Sequence, residues 1–371
     1  MTIQVAPQGM EGVIAADSSI TSIDGQRGDL RYRGYSIEDL AASCSFEEVV
    51  GLLWDGELPD KGQTAELARE LRSLRIGRRD LLDVLGAVPA TAHPLDVLRY
   101  VVSWDAVINP HTWDSGAKAD RRKALEMVAW FPTVVAGYHR LRRGEDPIDP
   151  DPDLDTAASF LYMLTGRPAT ELAIRTLDTS LVLHADHEFN ASTFSARVTV
   201  ATQSNLHSAV ASALGTLAGP RHGGASDRII AMLREIGDLT AVETYVQGQL
   251  SRHQRIMGFG HRMYRTADPR SHALRAMATR LLADTPHESW LDILARLSEV
   301  VERERGLYPN VDLYAALVNH ELGIDPAFYT SVFAISRIAG WTAHAMEQLD
   351  GRMIRPVANY IGPAPRALAD T

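Results

Sequence analysis

Five short stretches bring histidine, aspartate or arginine together between helices, four of them beside glycine or proline, where a side chain is held at a turn. They are His184-Ala185-Asp186-His187-Glu188-Phe189-Asn190, Gly219-Pro220-Arg221-His222-Gly223-Gly224-Ala225, Gly258-Phe259-Gly260-His261, Asp268-Pro269-Arg270 and Tyr308-Pro309-Asn310-Val311-Asp312. Taken singly, each has a plain explanation, because a lone histidine at a helix end is more often a capping residue than a catalyst. Together they offer four histidines, three aspartates and arginines able to hold carboxylates through paired hydrogen bonds. A partly desolvated aspartate has a raised pKa and can take a weakly acidic proton next to a carbonyl. That step needs the resulting oxyanion stabilised at once, which a neutral histidine does by donating a hydrogen bond. His222 suits the task. Gly219 and Pro220 end a buried helix, Gly223 and Gly224 leave the ring unshielded, and Ser226-Asp227 opens the next helix.

Other chemistries fit less well. Gly258-x-Gly260 follows no strand and lacks a third glycine, so it is not a dinucleotide fingerprint. His184 and His187 have metal-ligand spacing, but the second carboxylate–histidine half of a bundle metal site is missing, and no metal is expected. Arg255, Arg262, Arg265 and Arg270 fall within sixteen residues around His261. The plain reading is a solvated basic helix face, but the glycines and proline make much of this stretch turn, which favours a polyanionic ligand.

The rest of the chain bounds the setting. Its 371 residues can bury a large core in two domains. Hydrophobic residues are 45% and charged residues 23%, ordinary values for a soluble protein. Lys plus Arg number 37 against 47 Asp plus Glu, a net charge of −10 that argues against nucleic acid or an anionic membrane as partner. The single cysteine, Cys44, forms no internal disulfide and suits a reducing cytoplasm. Neither a signal peptide nor a bilayer-length apolar run is expected.

The elements that must hold these residues are nearly all helical. Strand signals are confined to Val13-Ile14-Ala15, Thr21-Ser22-Ile23 and Leu30-Arg31-Tyr32-Arg33, with turns at Asp24-Gly25 and Gly34. Ser36-Ile37-Glu38-Asp39 and Ser45-Phe46-Glu47-Glu48 have capping-box form. The second leads into an apolar stripe that stops at Gly56 and Pro59. Helices are expected at 64–75, 80–87, 94–104, 120–143 and 154–165, with the acidic, proline-rich 145–152 as a surface loop. Thr170 to Leu183 and Phe194 to Ala218, rich in Ala, Leu and Val, belong in the middle of a bundle. Further helices are expected at 226–236, 240–254, 271–283, 288–305, 313–322 and 326–349. Thr240 with Glu243 is expected to cap one, and Asp325-Pro326 to start the last.

With these motifs in place, the chain resembles the citrate synthase family over nearly its whole length. Leu30-Arg31-Tyr32-Arg33-Gly34-Tyr35-Ser36-Ile37-Glu38-Asp39-Leu40 matches near the start, followed by His187 to Phe194 and Gly219 to Ala225. Gly258 to Arg265, Asp268-Pro269-Arg270 and Tyr308 to Asp312 come next, then Ser336-Arg337, Gly340-Trp341, His344 and Arg355-Pro356. All of them in order, at suitable distances, make a specific pattern.

The resemblance implies an all-α homodimer with a minor N-terminal β element. Residues 1–223 and 321–371 would form a large helical domain and 224–320 a small one, with the active-site cleft between them closing on oxaloacetate. It implies Asp312 as the base that takes a methyl proton from acetyl-CoA. His222 would donate to the thioester oxygen, His261 to the oxaloacetate carbonyl, and His187 would help orient that substrate. Arg270, Arg337 and Arg355 would bind carboxylates, Arg355 from the other subunit. Arg255, Ile256, Met257, Gly258, Phe259 and Gly260 would hold the adenine end of CoA, and Arg265 a phosphate. Acetyl-CoA is then a substrate, with no cofactor or metal.

The sequence departs from the family where Ser226-Asp227 replaces the common Asn-Glu, and it implies a shortened C-terminal tail and no NADH-regulatory N-terminal domain. Propionyl-CoA, giving 2-methylcitrate, is the alternative acyl donor. A non-catalytic CoA- or dicarboxylate-binding paralogue would be expected to lack a catalytic residue, and His222, His261 and Asp312 are all present. A metal-dependent hydrolase built on His184 and His187 is the remotest alternative.

Overall fold

Helix starts in this chain are written in short polar side chains. Ser45 accepts from the Glu48 amide while the Glu48 carboxylate accepts from the Ser45 amide, a complete capping box, and Asp60 with Gln63 makes another. Ser36, Asn190, Asn205, Asp268 and Asn310 cap five more. The computed structural model describes residues 7–223 and 226–366.

A three-stranded antiparallel sheet, β1 (Thr21–Asp24), β2 (Asp29–Tyr32) and β3 (Tyr35–Ser36), precedes the helices, with Ile23 opposite Leu30. Sixteen α-helices follow among the described residues. The first seven are α1 (Ile37–Ser43), α2 (Phe46–Asp55), α3 (Lys61–Arg75), α4 (Arg79–Asp83), α5 (Pro94–Ile108), α6 (Ala117–Arg142) and α7 (Thr156–Thr165). Next come α8 (Glu171–His184), α9 (Ala191–Val200), α10 (Leu206–Leu217), α11 (Ser226–Ile236) and α12 (Val242–Ser251). The last four are α13 (Pro269–Leu282), α14 (Ser289–Arg305), α15 (Val311–Glu321) and α16 (Tyr329–Leu349). The chain is all-α but for the small sheet.

The core is centred on α16, which packs against α2, α6, α8, α9 and α10 and buries Ile335, Ile338, Trp341 and Ala345 completely or nearly so. A helix surrounded in this way has no polar face to offer water. The elements from α11 to α15 pack largely on one another, α13 on α15 and α12 on α14, while α13 also touches α1 and α8.

Two expectations are corrected, and the run from Phe194 to Ala218 is resolved into its helices. Val13-Ile14-Ala15 is coil, with Ile14 88% exposed and no strand partner among the described residues, so β-branched composition alone did not make a strand. The apolar run from Phe194 to Ala218 is two helices, because Gln203 takes a left-handed φ of +65° and Asn205 caps α10. Thr240 and Glu243 do not cap α12. Asp238 instead accepts from the Thr240 amide at the start of a 3-10 turn. The predicted capping roles of the Ser226 and Asp227 side chains lie outside the described residues.

Candidate active site

Two of the motifs are joined backbone to backbone. Phe259 forms a β-bridge with Pro309, the Gly260 amide donates to the Tyr308 carbonyl (2.8 Å), and the Asn310 amide to the Gly258 carbonyl (2.9 Å). Gly258 and Gly260 both have positive φ, and a Cβ on Gly258 would overlap Leu313. This places His261 beside the start of α15, where half-buried Asp312 is the second residue.

His261 has a defined tautomer. Its Nδ1 accepts from the amides of Met263 (3.0 Å) and Tyr264 (3.3 Å), so its remaining proton is on Nε2. Burial, then the Arg270 charge, push its pKa down to about 4, so the ring is neutral at pH 7 and donates through Nε2. Arg270 is itself buried and makes a two-point pair with Asp268, Nε to Oδ1 at 3.0 Å and Nη2 to Oδ2 at 2.7 Å. Burial alone would lower the guanidinium pKa, but the Asp268 carboxylate outweighs it and holds it above its ordinary value. Asp268 Oδ2 also accepts from the Val311 amide at 3.3 Å, tying the pair to the turn that carries Asp312.

The other motifs meet one face of α16. Arg337 Nε donates to the His184 carbonyl (2.7 Å), the Gly340 amide to the Ala185 carbonyl (3.0 Å), and Trp341 Nε1 to Ser192 Oγ (3.1 Å). A Cβ on Gly340 would overlap both the Ala185 carbonyl and Asp186 Oδ1, so only glycine allows this approach. Arg337 is buried. Its partners among the described residues are the His184 carbonyl and the Phe333 ring (4.5 Å), neither of them an anion, and burial pulls its pKa down to about 10.

His222 enters through Ser192, whose Oγ is 2.8 Å from His222 Nε2 and 2.7 Å from Asn190 Oδ1. The hydroxyl has one proton for two acceptors, and Asn190 Oδ1 already accepts from the Ser192 and Thr193 amides. Burial, then Arg337, push the His222 pKa down to about 4. The ring is therefore neutral. Ser192 Oγ donates to Asn190 Oδ1; where it turns to Nε2 instead, His222 carries its proton on Nδ1.

His187 joins the two groups. Its ring lies edge-on to His261 (centroids 5.1 Å apart) and to Tyr264 (5.6 Å), and its Nε2 is 3.1 Å from Tyr264 Oη. Burial, then Arg270, hold its pKa well below the usual value. Asp312 lines a narrow cleft with His184, Phe333 and Ser336, next to Arg337 in sequence. His184 spends Nδ1 on the Ser180 carbonyl (2.7 Å), and the described residues contain no cluster of three or more candidate metal ligands.

Not every expected residue is drawn in. Arg255 and Arg265 are exposed, while Ile256 and Met257 are half-buried. Arg355 is exposed and lines a separate cleft formed by residues 13–17 and 351–356 with α9 and α16. Sequence reasoning missed Ser192, Tyr264 and Asp268. All three stood inside or beside the motifs, but their roles depend on partners up to 149 residues away.

The family model for "Citrate synthase, C-terminal domain" matches residues 9–357. The chain is 40% identical to citrate synthase 2 of Bacillus subtilis, covering 96% of each chain. The chain belongs to the citrate synthase family. That membership makes it a condensing acyltransferase, and the family relatives include a 2-methylcitrate synthase of Mycobacterium tuberculosis, 39% identical over 98% of this chain and 92% of that one. The citrate synthase of Thermoplasma acidophilum, solved in a ternary complex with carboxymethyl coenzyme A and oxaloacetate, superposes with a TM-score of 0.92 at 32% identity, covering 100% of this chain and 99% of that one.

Proposed function

We propose that this protein condenses acetyl-CoA with oxaloacetate and water to give citrate and free CoA. The observation that carries the reading is Arg337, a buried guanidinium whose described partners include no anion, beside neutral histidines that can only donate or accept hydrogen bonds. A dicarboxylate supplies the missing charge. The Asp312 carboxylate takes a methyl proton, and the electron pair left behind moves toward the thioester oxygen, where His222 donates a hydrogen bond. The enolate carbon then bonds to the carbonyl carbon of oxaloacetate; the carbonyl π pair moves onto its oxygen, which is stabilised by the hydrogen bond from His261 Nε2 and takes up a proton to become the hydroxyl of citryl-CoA. Water cleaves the thioester of the resulting citryl-CoA and CoA leaves as the thiol.

His187 and Arg337 orient oxaloacetate. Arg270, with Nε and Nη2 on Asp268, has Nη1 for a substrate carboxylate. The segment Arg255 to Gly260 receives the adenine end of CoA and Arg265 a phosphate. Residues 1–223 and 321–371 act as one domain and 224–320 as the other, closing over the substrates. Exposed apolar side chains at both ends of the chain, among them Ile14, Met353, Val357 and Ile361, support a homodimer in which Arg355 reaches the partner's site. The lone cysteine supports a cytoplasmic setting; no helix among the described residues is long and apolar enough to cross a membrane.

Asp312→Ala is expected to abolish condensation, followed as thiol release, while oxaloacetate still binds. Near-normal turnover in that variant would sink the mechanism. A second reading, 2-methylcitrate synthesis from propionyl-CoA, is favoured by the near-equal identity to relatives of both kinds. One methylene changes pocket binding by only about 1–3 kcal/mol. Thiol release from the two acyl donors at equal concentration decides between them, and a strong propionyl preference overturns the first reading.

A further inference from the structure

Behind His187 runs a buried chain of hydrogen bonds that the mechanism above does not use. Asp186 is completely buried, and its Oδ2 accepts from Thr21 Oγ1 (2.6 Å), His344 Nε2 (3.1 Å) and the Glu188 amide (3.1 Å). The last bond spans His187 itself. Glu188 has a left-handed φ of +52°, which costs a non-glycine residue about 1–2 kcal/mol and so needs local support. His344 is as buried as Asp186, and Arg197 Nη1 donates to its Nδ1 at 3.1 Å. Arginine has no acceptor, so Nδ1 accepts and Nε2 carries the proton given to Asp186. Phe189 closes the turn from the side, its ring edge-on to His344 (5.5 Å) and under the Arg197 guanidinium (4.5 Å). On the far side Arg197 Nε donates to Gln348 Oε1 (3.1 Å), and Gln348 Nε2 to the Arg352 carbonyl (3.1 Å).

We infer that His344 and Arg197 are positioning residues that act through Asp186 to hold His187 in the geometry that binds oxaloacetate. The inference rests on the reading of the site given above. Each link has one possible direction. Arg197 can only donate, which leaves His344 one donor, and that donor meets the carboxylate whose other bond fixes the turn. Asp186 has a second effect. Its charge reaches Arg337 without occupying the guanidinium, which keeps those donors for substrate while easing the burial of the cation. Asp186 Oδ1 has no hydrogen-bond partner among the described residues, so losing the His344 bond leaves the carboxylate held only by Thr21 and the Glu188 amide, and both effects weaken together. A chain that merely fastened α16 to α9 would, when cut, lower stability and raise both Michaelis constants alike.

The test compares wild type, His344→Ala, His344→Gln and Arg197→Gln by oxaloacetate titration without acyl-CoA, KM for both substrates, and Tm. His344→Ala is expected to weaken oxaloacetate binding about tenfold or more, the size expected for an unmade buried hydrogen bond, with KM for acetyl-CoA within about twofold. His344→Gln, whose amide offers a donor nitrogen and an acceptor oxygen, is expected to recover most of the affinity. Arg197→Gln, which removes the Nη1 donor to Nδ1, serves if the alanine variant does not fold, and is expected to weaken oxaloacetate binding selectively. Unchanged oxaloacetate affinity in whichever of these two variants folds overturns the positioning role. So does a His344→Gln variant that recovers no affinity, or a parallel rise of both KM values with a falling Tm. Wild-type protein that binds no oxaloacetate overturns the proposed function as well, which separates the two failures.

Discussion

Two buried arginines, Arg270 and Arg337, belong to different halves of the site and are balanced in different ways. Arg270 begins α13 and brings its own counter-ion, Asp268, two residues away. Arg337 lies in the middle of α16 with a carbonyl and an aromatic ring as its described partners. The contrast extends to their surroundings. The Arg270 half is built by backbone pairing between the Gly258 and Tyr308 motifs, and the Arg337 half by side chains packed on one helix face. An ion pair complete within the protein holds a loop in place, whereas a cation that no carboxylate touches directly keeps its donors for an anion. The two arginines that the sequence pattern treats alike therefore do different work.

The largest test of that distinction removes each charge in turn. Arg270→Gln leaves Asp268 buried without its partner and is expected to cost about 3–5 kcal/mol of stability. Arg337→Gln removes a cation with no directly paired carboxylate among the described residues, so stability in the absence of ligand is expected to stay within about 1 kcal/mol or to rise. The same substitution is expected to weaken oxaloacetate binding by about 2–5 kcal/mol. Urea midpoints and oxaloacetate titrations on both variants read the difference. Equal stability losses would erase the comparison.

A smaller effect comes from the glycines at which each half makes its closest approach. A Cβ on Gly340 would overlap the Ala185 carbonyl and Asp186, and one on Gly25 would overlap the Met263 carbonyl, where the β1–β2 turn meets the His261 loop. The Arg265 amide donates to the Gly25 carbonyl at 2.8 Å, so the turn is fastened to that loop. Each alanine is expected to cost about 1–3 kcal/mol through overpacking. Their kinetics should differ. Gly340→Ala is expected to raise KM for oxaloacetate. Gly25→Ala, by displacing the amides that set the His261 tautomer, is expected to lower kcat about 10–100-fold. Identical kinetic signatures would show that the two halves do not act separately.

Much of this was legible because it is local. Ser45 with Glu48 and the periodicity of α14 and α16 depend on residues three or four apart, and so does the helical class of the chain. The motifs holding His222, His261, Arg270 and Asp312 were visible because glycine and proline mark turns. What escaped is set by partners distant in sequence. The Asp268–Arg270 pair could be read as a carboxylate ligand with a nearby acid, but not as a closed ion pair whose acid also holds Val311. Ser192 is one hydroxyl among many until Trp341 and His222 converge on it. Val13-Ile14 has strand composition, yet without a neighbouring edge its backbone stays in coil. Arg355 has no such partner set in the single chain, so its proposed role depends on a second copy.

The smallest effect asks whether low histidine pKa values mark the site at all. His222 and His261, one in each half, are both pushed down to about 4, with burial the leading cause. His139 is in neither half. It accepts from the Asp325 amide through Nε2 at 3.2 Å, and burial, then Arg143, push it down to about 4 as well. Above pH 6.5 all three are neutral folded or unfolded, and below about pH 4 all are protonated in both states. Between those limits the unfolded chain holds protons that the folded chain does not, so stability falls as pH drops from 6.5 toward 4. Each such histidine contributes up to about 1.4 kcal/mol per pH unit in that window. His139→Gln keeps an acceptor for Asp325 and removes one titrating group. Its denaturation midpoints should therefore fall less steeply with acid, while the pH dependence of kcat stays that of the wild type. If the slope is unchanged, burial is not what holds His139 neutral, and the same cause assigned to His222 and His261 fails with it. If the slope flattens and kcat is untouched, neutrality is general to buried histidines here. What distinguishes the site is then the direction of the proton, which two backbone amides set at His261.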